Sequence, residues 1–248
     1  MLKKAVKKFL SVVLATAMVV SSITVYGASV KVPEDRVLTS VKEYSIAPGI
    51  KEKHITTVDK DGNNQVQAYM AEVDLKTPSA GMMAGYKDYD KTGKWGMQTV
   101  RDQVKAAEKE TGKTIVAAIN GDYFDLGTGQ PWGSLVMGGN IVQSQNEHPY
   151  FAIMKDGTAD CREAYEPLDN VVEAIGSPFF LVKDGKALEE LASDPYTSPR
   201  CAVGIKADGS VIIYEADGRQ APKSCGQSLY ETAKQMAAMG CVEALYLD

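Results

Sequence analysis

Histidine is nearly missing from this chain. His54 and His148 are the only two and lie far apart, so a His-rich zinc site and an HExxH protease helix are excluded. Nucleotide-phosphate loops are missing too: there is neither a Walker A run nor GxGxxG, and no GxSxG elbow presents a serine nucleophile. Positive charge is in deficit, with a formal net charge of -5, so no basic field points to nucleic acid as a partner. Cysteine is sparse: Cys161, Cys201, Cys225 and Cys241 show no CxxC spacing. Beyond the N-terminal region no run approaches the ~20 apolar residues of a membrane helix.

What is present is enough for a sizeable core, with 248 residues of which 44% are apolar. Lys3, Lys4, Lys7 and Lys8 precede an apolar run over 9–20, and small residues then lead to Gly27 and Ala28. That layout predicts a signal peptide over 1–28, an exported or cell-surface protein, and no stable membrane span after cleavage. The remaining 29–248 reads as one domain, without internal repeat or linker. Export puts the four thiols in an oxidising setting, where three pairings can be drawn. Cys225 and Cys241 flank a helix read over 229–239, about 16 Å long, which exceeds the ~7 Å Cα separation of a disulfide. Those two are not expected to pair.

The central stretch is 114–125. Five apolar residues, 115–119, predict a strand buried on both faces, breaking into Asn120-Gly121-Asp122 at its end. A helix is predicted over 100–111, with Thr99 as N-cap and Gly112 as stop. Residues up to about Lys53 read as an irregular approach, and 81–96 as a surface loop. Strands are expected over 54–58 and 65–75 around a turn at 59–64, then a hairpin over 134–142 turning at Gly138-Gly139-Asn140, and strands at 151–154, 179–182 and 242–247. Ser228 and Glu231 form a capping box that opens a second helix. The fold class is therefore α+β, with mixed, largely antiparallel sheets and a few packed helices.

Asp208-Gly209 between two apolar runs predicts a two-residue hairpin turn. That register sets Ala207 opposite Ser210 and hence Arg200 opposite Asp217, with Arg219 two residues along the same face. Two guanidiniums around one carboxylate leave positive charge over, which suits an anionic ligand; a surface ion pair is the plain alternative.

Five motifs then stand in order: Asn-Gly-x-Tyr-Phe at 120–124, Ser-Pro-Arg-x-Ala-x-Gly at 198–204, Asp-Gly-Arg at 217–219, Ser-x-Gly-x-Ser-Leu at 224–229, and Ala-Leu-x-Leu-Asp at 244–248. The set resembles the phosphodiester glycosidase family, many of whose members are exported bacterial proteins, and covers roughly 114–248. Two departures stand out: Asp122 occupies a position where the family often has glycine, and the family's glycine-rich run after Leu-Asp is not present after Asp248. The resemblance implies hydrolysis of a sugar phosphodiester at its glycosidic C–O bond in a cell-surface or extracellular glycan. It implies Asp248, Asp217 and Asn120 as catalytic groups, with Arg200, Arg219, Gly121, Asp122 and Gly218 binding substrate. It also implies that the chain is incomplete beyond Asp248 and inactive as it stands. No metal ligand set is assigned and no cofactor is expected; Ca²⁺ held by Asp122 and Asp125 is the one cofactor reading left open. A non-catalytic glycan-binding module on the same scaffold is the alternative function.

Overall fold

The computed structural model describes residues 22–23, 30–145 and 147–248. Apart from Ser22 and Ile23, the expected signal peptide lies outside these residues. The chain first lays down β1 (Ser22–Ile23), β2 (Arg36–Ala47), β3 (Ile50–Asp59) and β4 (Val66–Val73), then α1 (Val100–Thr111). A second sheet follows from β5 (Leu135–Met137), β6 (Asn140–Gln143), β7 (Tyr150–Met154), β8 (Ala159–Arg162) and β9 (Val171–Gly176). The chain then returns to the first sheet through β10 (Phe180–Lys183), β11 (Lys186–Ala187), β12 (Arg200–Lys206) and β13 (Val211–Ala216). It ends in α2 (Leu229–Ala238) and β14 (Cys241–Leu247). The large sheet has the order β1-β2-β3-β4-β13-β12-β14-β10-β11 and the small one β6-β5-β9-β7-β8. Every strand pair among the described residues is antiparallel, so the fold is sheet-rich α+β without the parallel element that "mixed" anticipates.

Side-chain alternation sorts the large sheet into two faces. Ala202, Ile212, Tyr214, Ala244 and Tyr246 pack under Ala233 and Met236 of α2. Cys201, Val203, Val211, Leu245 and Leu247 face Phe151, Ile153 and Cys161 of the small sheet. β14, buried on both faces, sits between β12 and β10 as its apolar content predicts. The helices begin where the local chemistry says. Thr99 accepts from the Asp102 N–H and Gly112 closes α1 in a left-handed conformation, while Ser228 and Glu231 form the full capping box of α2.

Three expectations are overturned. β2 is a 12-residue strand where an irregular approach is expected; its mixed exposure hides the alternation that marks a half-buried strand. The 81–96 loop contributes Ala84, Tyr86 and Tyr89 to the core beneath α1. Residues 115–119 are not a strand: Ile115 and Ile119 are partly buried, and Val116, Ala117 and Ala118 are exposed. Among the described residues, 116–120 make no backbone–backbone hydrogen bond, because the neighbouring strands of the large sheet are already paired on both sides. The four cysteines are free thiols, with Cys161, Cys201 and Cys241 buried.

Candidate functional site

The site is built where β12 and β14 end together. Their register pairs Cys201 with Leu247 and Ala202 with Tyr246, so one step further sets the backbone of Asp248 across from Arg200. Residues 119–123 wrap around this end of the sheet. Ile119 packs on the small-sheet side, the Gly121 carbonyl accepts from the Asp248 N–H at 2.9 Å, and Tyr123 emerges on the α2 side. The crossing brings the Asn-Gly motif to the last residue of β14.

Arg200 is buried, at 8% exposure, and its guanidinium is held on three sides. Nε donates to the Gln227 carbonyl (3.0 Å), Nη1 to the Tyr246 hydroxyl (2.9 Å) and Nη2 to the Tyr196 carbonyl (2.7 Å). All three acceptors are neutral, and among the described residues no carboxylate lies within 4.0 Å of it. Two of its five N–H groups remain unused by these bonds. A buried cation without a counter-charge is costly unless an anion completes it.

The motif at 224–229 supports that guanidinium. Ser224 is buried, donating to the Asp217 carbonyl (2.6 Å) and accepting from the Gln67 N–H (3.0 Å). Gln227 offers its carbonyl to Arg200 and its side-chain oxygen to the Tyr214 hydroxyl (3.0 Å). Gly218 and Gly226 clasp Ser198-Pro199 between them: a Cβ on Gly218 would stand 2.5 Å from Pro199 N, and one on Gly226 2.6 Å from Ser198 O. Only glycine permits that approach.

The β12–β13 hairpin differs from its expected register by one residue. Its loop is Ala207-Asp208-Gly209, closed by Lys206 N–H to Ser210 O (2.9 Å), with Gly209 at φ +85. This three-residue turn pairs Arg200 with Ala216 rather than Asp217. A one-residue slip exchanges faces, so Asp217 joins Ile213 and Glu215 on the side away from α2. There it lines an open cleft of about 400 Å³ with Glu52, Tyr69 and Val116. Burial and the Asp217 charge together raise the Glu215 pKa. Arg219 is exposed at φ 57, and no recorded contact joins it to Arg200. Arg200, Gly121, Asp248 and, nearby, Asp122 are thus brought together; Asp217 and Arg219 are not among them. Asn120 is exposed at the crossing, its backbone against the Cys201 thiol.

Asp122 is partly buried, and its Oδ2 accepts from the Gly133 N–H at 2.5 Å. Burial raises its pKa to about 6, with the Asp248 charge adding and Gly133, Tyr123 and His148 opposing. Asp248 is raised by burial as well. Asp125 turns into its own loop, accepting from Gly127 N (3.0 Å), Thr128 N (2.7 Å) and Thr128 Oγ1 (2.9 Å). The two carboxylates therefore serve different partners, and among the described residues no three His, Cys, Asp or Glu side chains gather as a metal site.

Sequence reasoning passes over four aromatic groups here. Trp132 stacks on Tyr123 (centroids 5.4 Å, 24°), Tyr123 leans on Tyr246 (6.1 Å), and Tyr246 stacks on Phe179 (5.1 Å, 8°). Burial and the Tyr246 phenol, with Asp248, push the Tyr123 phenol pKa up. The alternation of Leu245, Tyr246 and Leu247 was the available signal: it places a lone tyrosine on the opposite face from two leucines.

A buried guanidinium with no carboxylate within 4.0 Å among the described residues, at a sheet end that carries Asp248 and an aromatic row, defines an α+β protein suited to an anionic, ring-bearing ligand. The profile of the family described as phosphodiester glycosidase matches residues 113–248, more than half of the chain, and the chain belongs to that family. It is 28% identical over 154 residues to the mouse (Mus musculus) N-acetylglucosamine-1-phosphodiester alpha-N-acetylglucosaminidase, covering 53% of this chain and 29% of that protein. To the bovine (Bos taurus) protein of the same name it is 25% identical over 171 residues, covering 60% and 32%. The chain thus matches about a third or less of each of these relatives. Among solved structures, the zebrafish catalytic domain of this name, auto-inhibited by its pro-peptide, aligns at TM-score 0.61 and 20% identity, over 86% of this chain and 75% of that one. A hypothetical protein from Synechocystis aligns at 0.63 and 14%, over 85% and 58%. These two likenesses are of fold.

Proposed function

We propose that this chain is an exported hydrolase that cleaves the glycosidic bond of sugar-1-phosphodiesters in cell-surface or extracellular glycans. Family membership supports the reaction class, and the basic-then-apolar N-terminus supports export. The single observation that carries the assignment is Arg200, a buried cation bonded to neutral acceptors at the end of the ladder that leads to Asp248. A phosphomonoester is a good leaving group, so holding its charge matters more than protonating it. Arg200 supplies that charge, and Arg219 reaches the same phosphate only if its exposed loop turns toward it. Asp248 serves the anomeric carbon as nucleophile or as base for water, and Asn120 orients sugar hydroxyls. The anomeric C–O bond to phosphate breaks, water supplies the new C–O bond, and sugar and phosphomonoester leave. Asp217, on the other face of β13, holds the Ser224 clamp through its backbone rather than touching the reacting atoms.

The test is turnover of a synthetic N-acetylglucosamine-1-phosphodiester, by the chain as it stands and by a form extended beyond Asp248. In whichever form turns over, Arg200→Lys should lower kcat/KM by about ten- to a thousand-fold, because the three-sided fork cannot be rebuilt by an ammonium. Unchanged kinetics in Arg200→Lys would remove the phosphate-holding role. Absence of turnover by both forms, with sugar or phosphate still bound, would turn the reading to a glycan-binding module.

A further inference from the structure

We infer that Trp132 is a stacking platform for the sugar ring of the substrate, a subsite outside the five motifs; the inference rests on the sugar-phosphate reading above. Trp132 is half exposed, at 50%, yet one face of its ring is packed and its backbone is tied down. Its inner face lies on Tyr123, and its backbone N–H donates to the Tyr123 carbonyl at 2.9 Å. On either side the backbone is clamped: Phe124 bridges to Pro131, Gly133 N–H donates to Asp122, and Gln143 Nε2 donates to the carbonyls of both Pro131 and Gly133.

A rigid aromatic with one face packed and the other in water is what the C–H face of a pyranose requires. Little side-chain entropy remains to be lost on binding, and a large apolar area is still wet. A lone exposed aromatic carries no such meaning; Trp132 is instead the outer end of a row that runs through Tyr123 to Tyr246, and Tyr246 is the residue whose hydroxyl holds Arg200. The row therefore connects an apolar landing surface to the buried cation. Asp122, pinned by the N–H of Gly133 next to Trp132 in the chain, can accept from ring hydroxyls when ionised. A sugar-phosphate glycan that lays a ring on the free face of Trp132 would extend along the row toward Arg200.

The probes are methyl N-acetylglucosaminide, which carries the ring without charge, and inorganic phosphate, which carries the charge without a ring. Binding is followed by calorimetry and by fluorescence, since Trp95, the other of the two tryptophans, is packed against the core beneath α1. Trp132→Ala should weaken binding of the glycoside about ten-fold or more and leave phosphate binding unchanged. Trp132→Phe, which keeps an aromatic face, should stay within about three-fold of the wild type. Glycoside binding that is equal in Trp132→Ala and wild type, or equally lost in Trp132→Phe and Trp132→Ala, overturns the platform, as does absence of glycoside binding by the wild type. The hydrolase reading is judged separately, by turnover of the diester. Glycoside binding that depends on Trp132, with no turnover by either the chain or its extended form, would keep the platform and sink the hydrolase.

Discussion

Two apolar stretches of this chain look alike and end differently. Residues 115–119, Ile-Val-Ala-Ala-Ile, carry five apolar residues without interruption, whereas β14 has Glu243 in its midst. Composition favours the first as the buried strand. In the structure β14 is the interior strand, paired with β12 on one side and β10 on the other, and 115–119 lies outside any sheet with three of its residues exposed. The comparison teaches that a strand is defined by its ladder partners more than by its residues. The two stretches meet at one bond, Asp248 N–H to Gly121 O, and that meeting point is the site.

The widest separation between them should appear in stability. Leu245, fully buried between the sheets, should cost about 2–5 kcal/mol as Leu245→Ala. Val116→Ala, exposed, should stay within about 0.5 kcal/mol. Urea unfolding of both variants checks this, and a loss of several kcal/mol at Val116 would show that the stretch is covered in solution.

Next in size is the pH dependence set by Asp122, just beyond the second stretch. Its folded pKa of about 6 lies above the ordinary aspartate value of 3.8, so between the two the native state holds a proton that the unfolded chain has released. Stability should therefore fall as pH rises from about 4 to about 6, by up to about 3 kcal/mol. Asp122→Asn keeps an oxygen for the Gly133 N–H and should flatten that slope while leaving stability at about pH 3, where Asp122 is protonated in both states, nearly unchanged. An identical slope in the variant would assign the effect elsewhere.

A smaller effect tests the helix that supports β14. Ser228→Ala removes the acceptor for the Glu231 N–H and should cost about 1 kcal/mol by thermal or urea unfolding. Hydrogen exchange sharpens the comparison without any substitution. The amides of β14 should exchange only through large openings of the sheet, and those of 116–120 far faster. Ile115, whose N–H is held by Glu108 Oε1 at 2.9 Å, should mark the boundary. Equal protection of 116–120 and β14 would mean that the stretch has found a ladder partner.

What was legible in the residues has a common range. Thr99, Gly112, Ser228 and Glu231 act on backbone groups within a turn of themselves, so both helices could be bounded from the chain alone. The Asp59 turn and the β5–β6 hairpin were likewise readable from local turn chemistry. The ordered motifs identified the family because each is a short run, whatever the sheets do with it.

The tertiary structure decided the rest, and the reason is parity and pairing. One extra residue in the Ala207-Asp208-Gly209 loop moves every side chain of β13 to the other face, which separates Asp217 from Arg200 and leaves Asp248 as the neighbour across the ladder. No local rule counts that residue reliably, because Asp-Gly serves both two- and three-residue turns. Nor does any local rule say which apolar run finds partners. The aromatic row likewise depends on joining residues 123, 132, 179 and 246, which the chain separates and only the wrapping of 119–123 around the end of β14 brings into line.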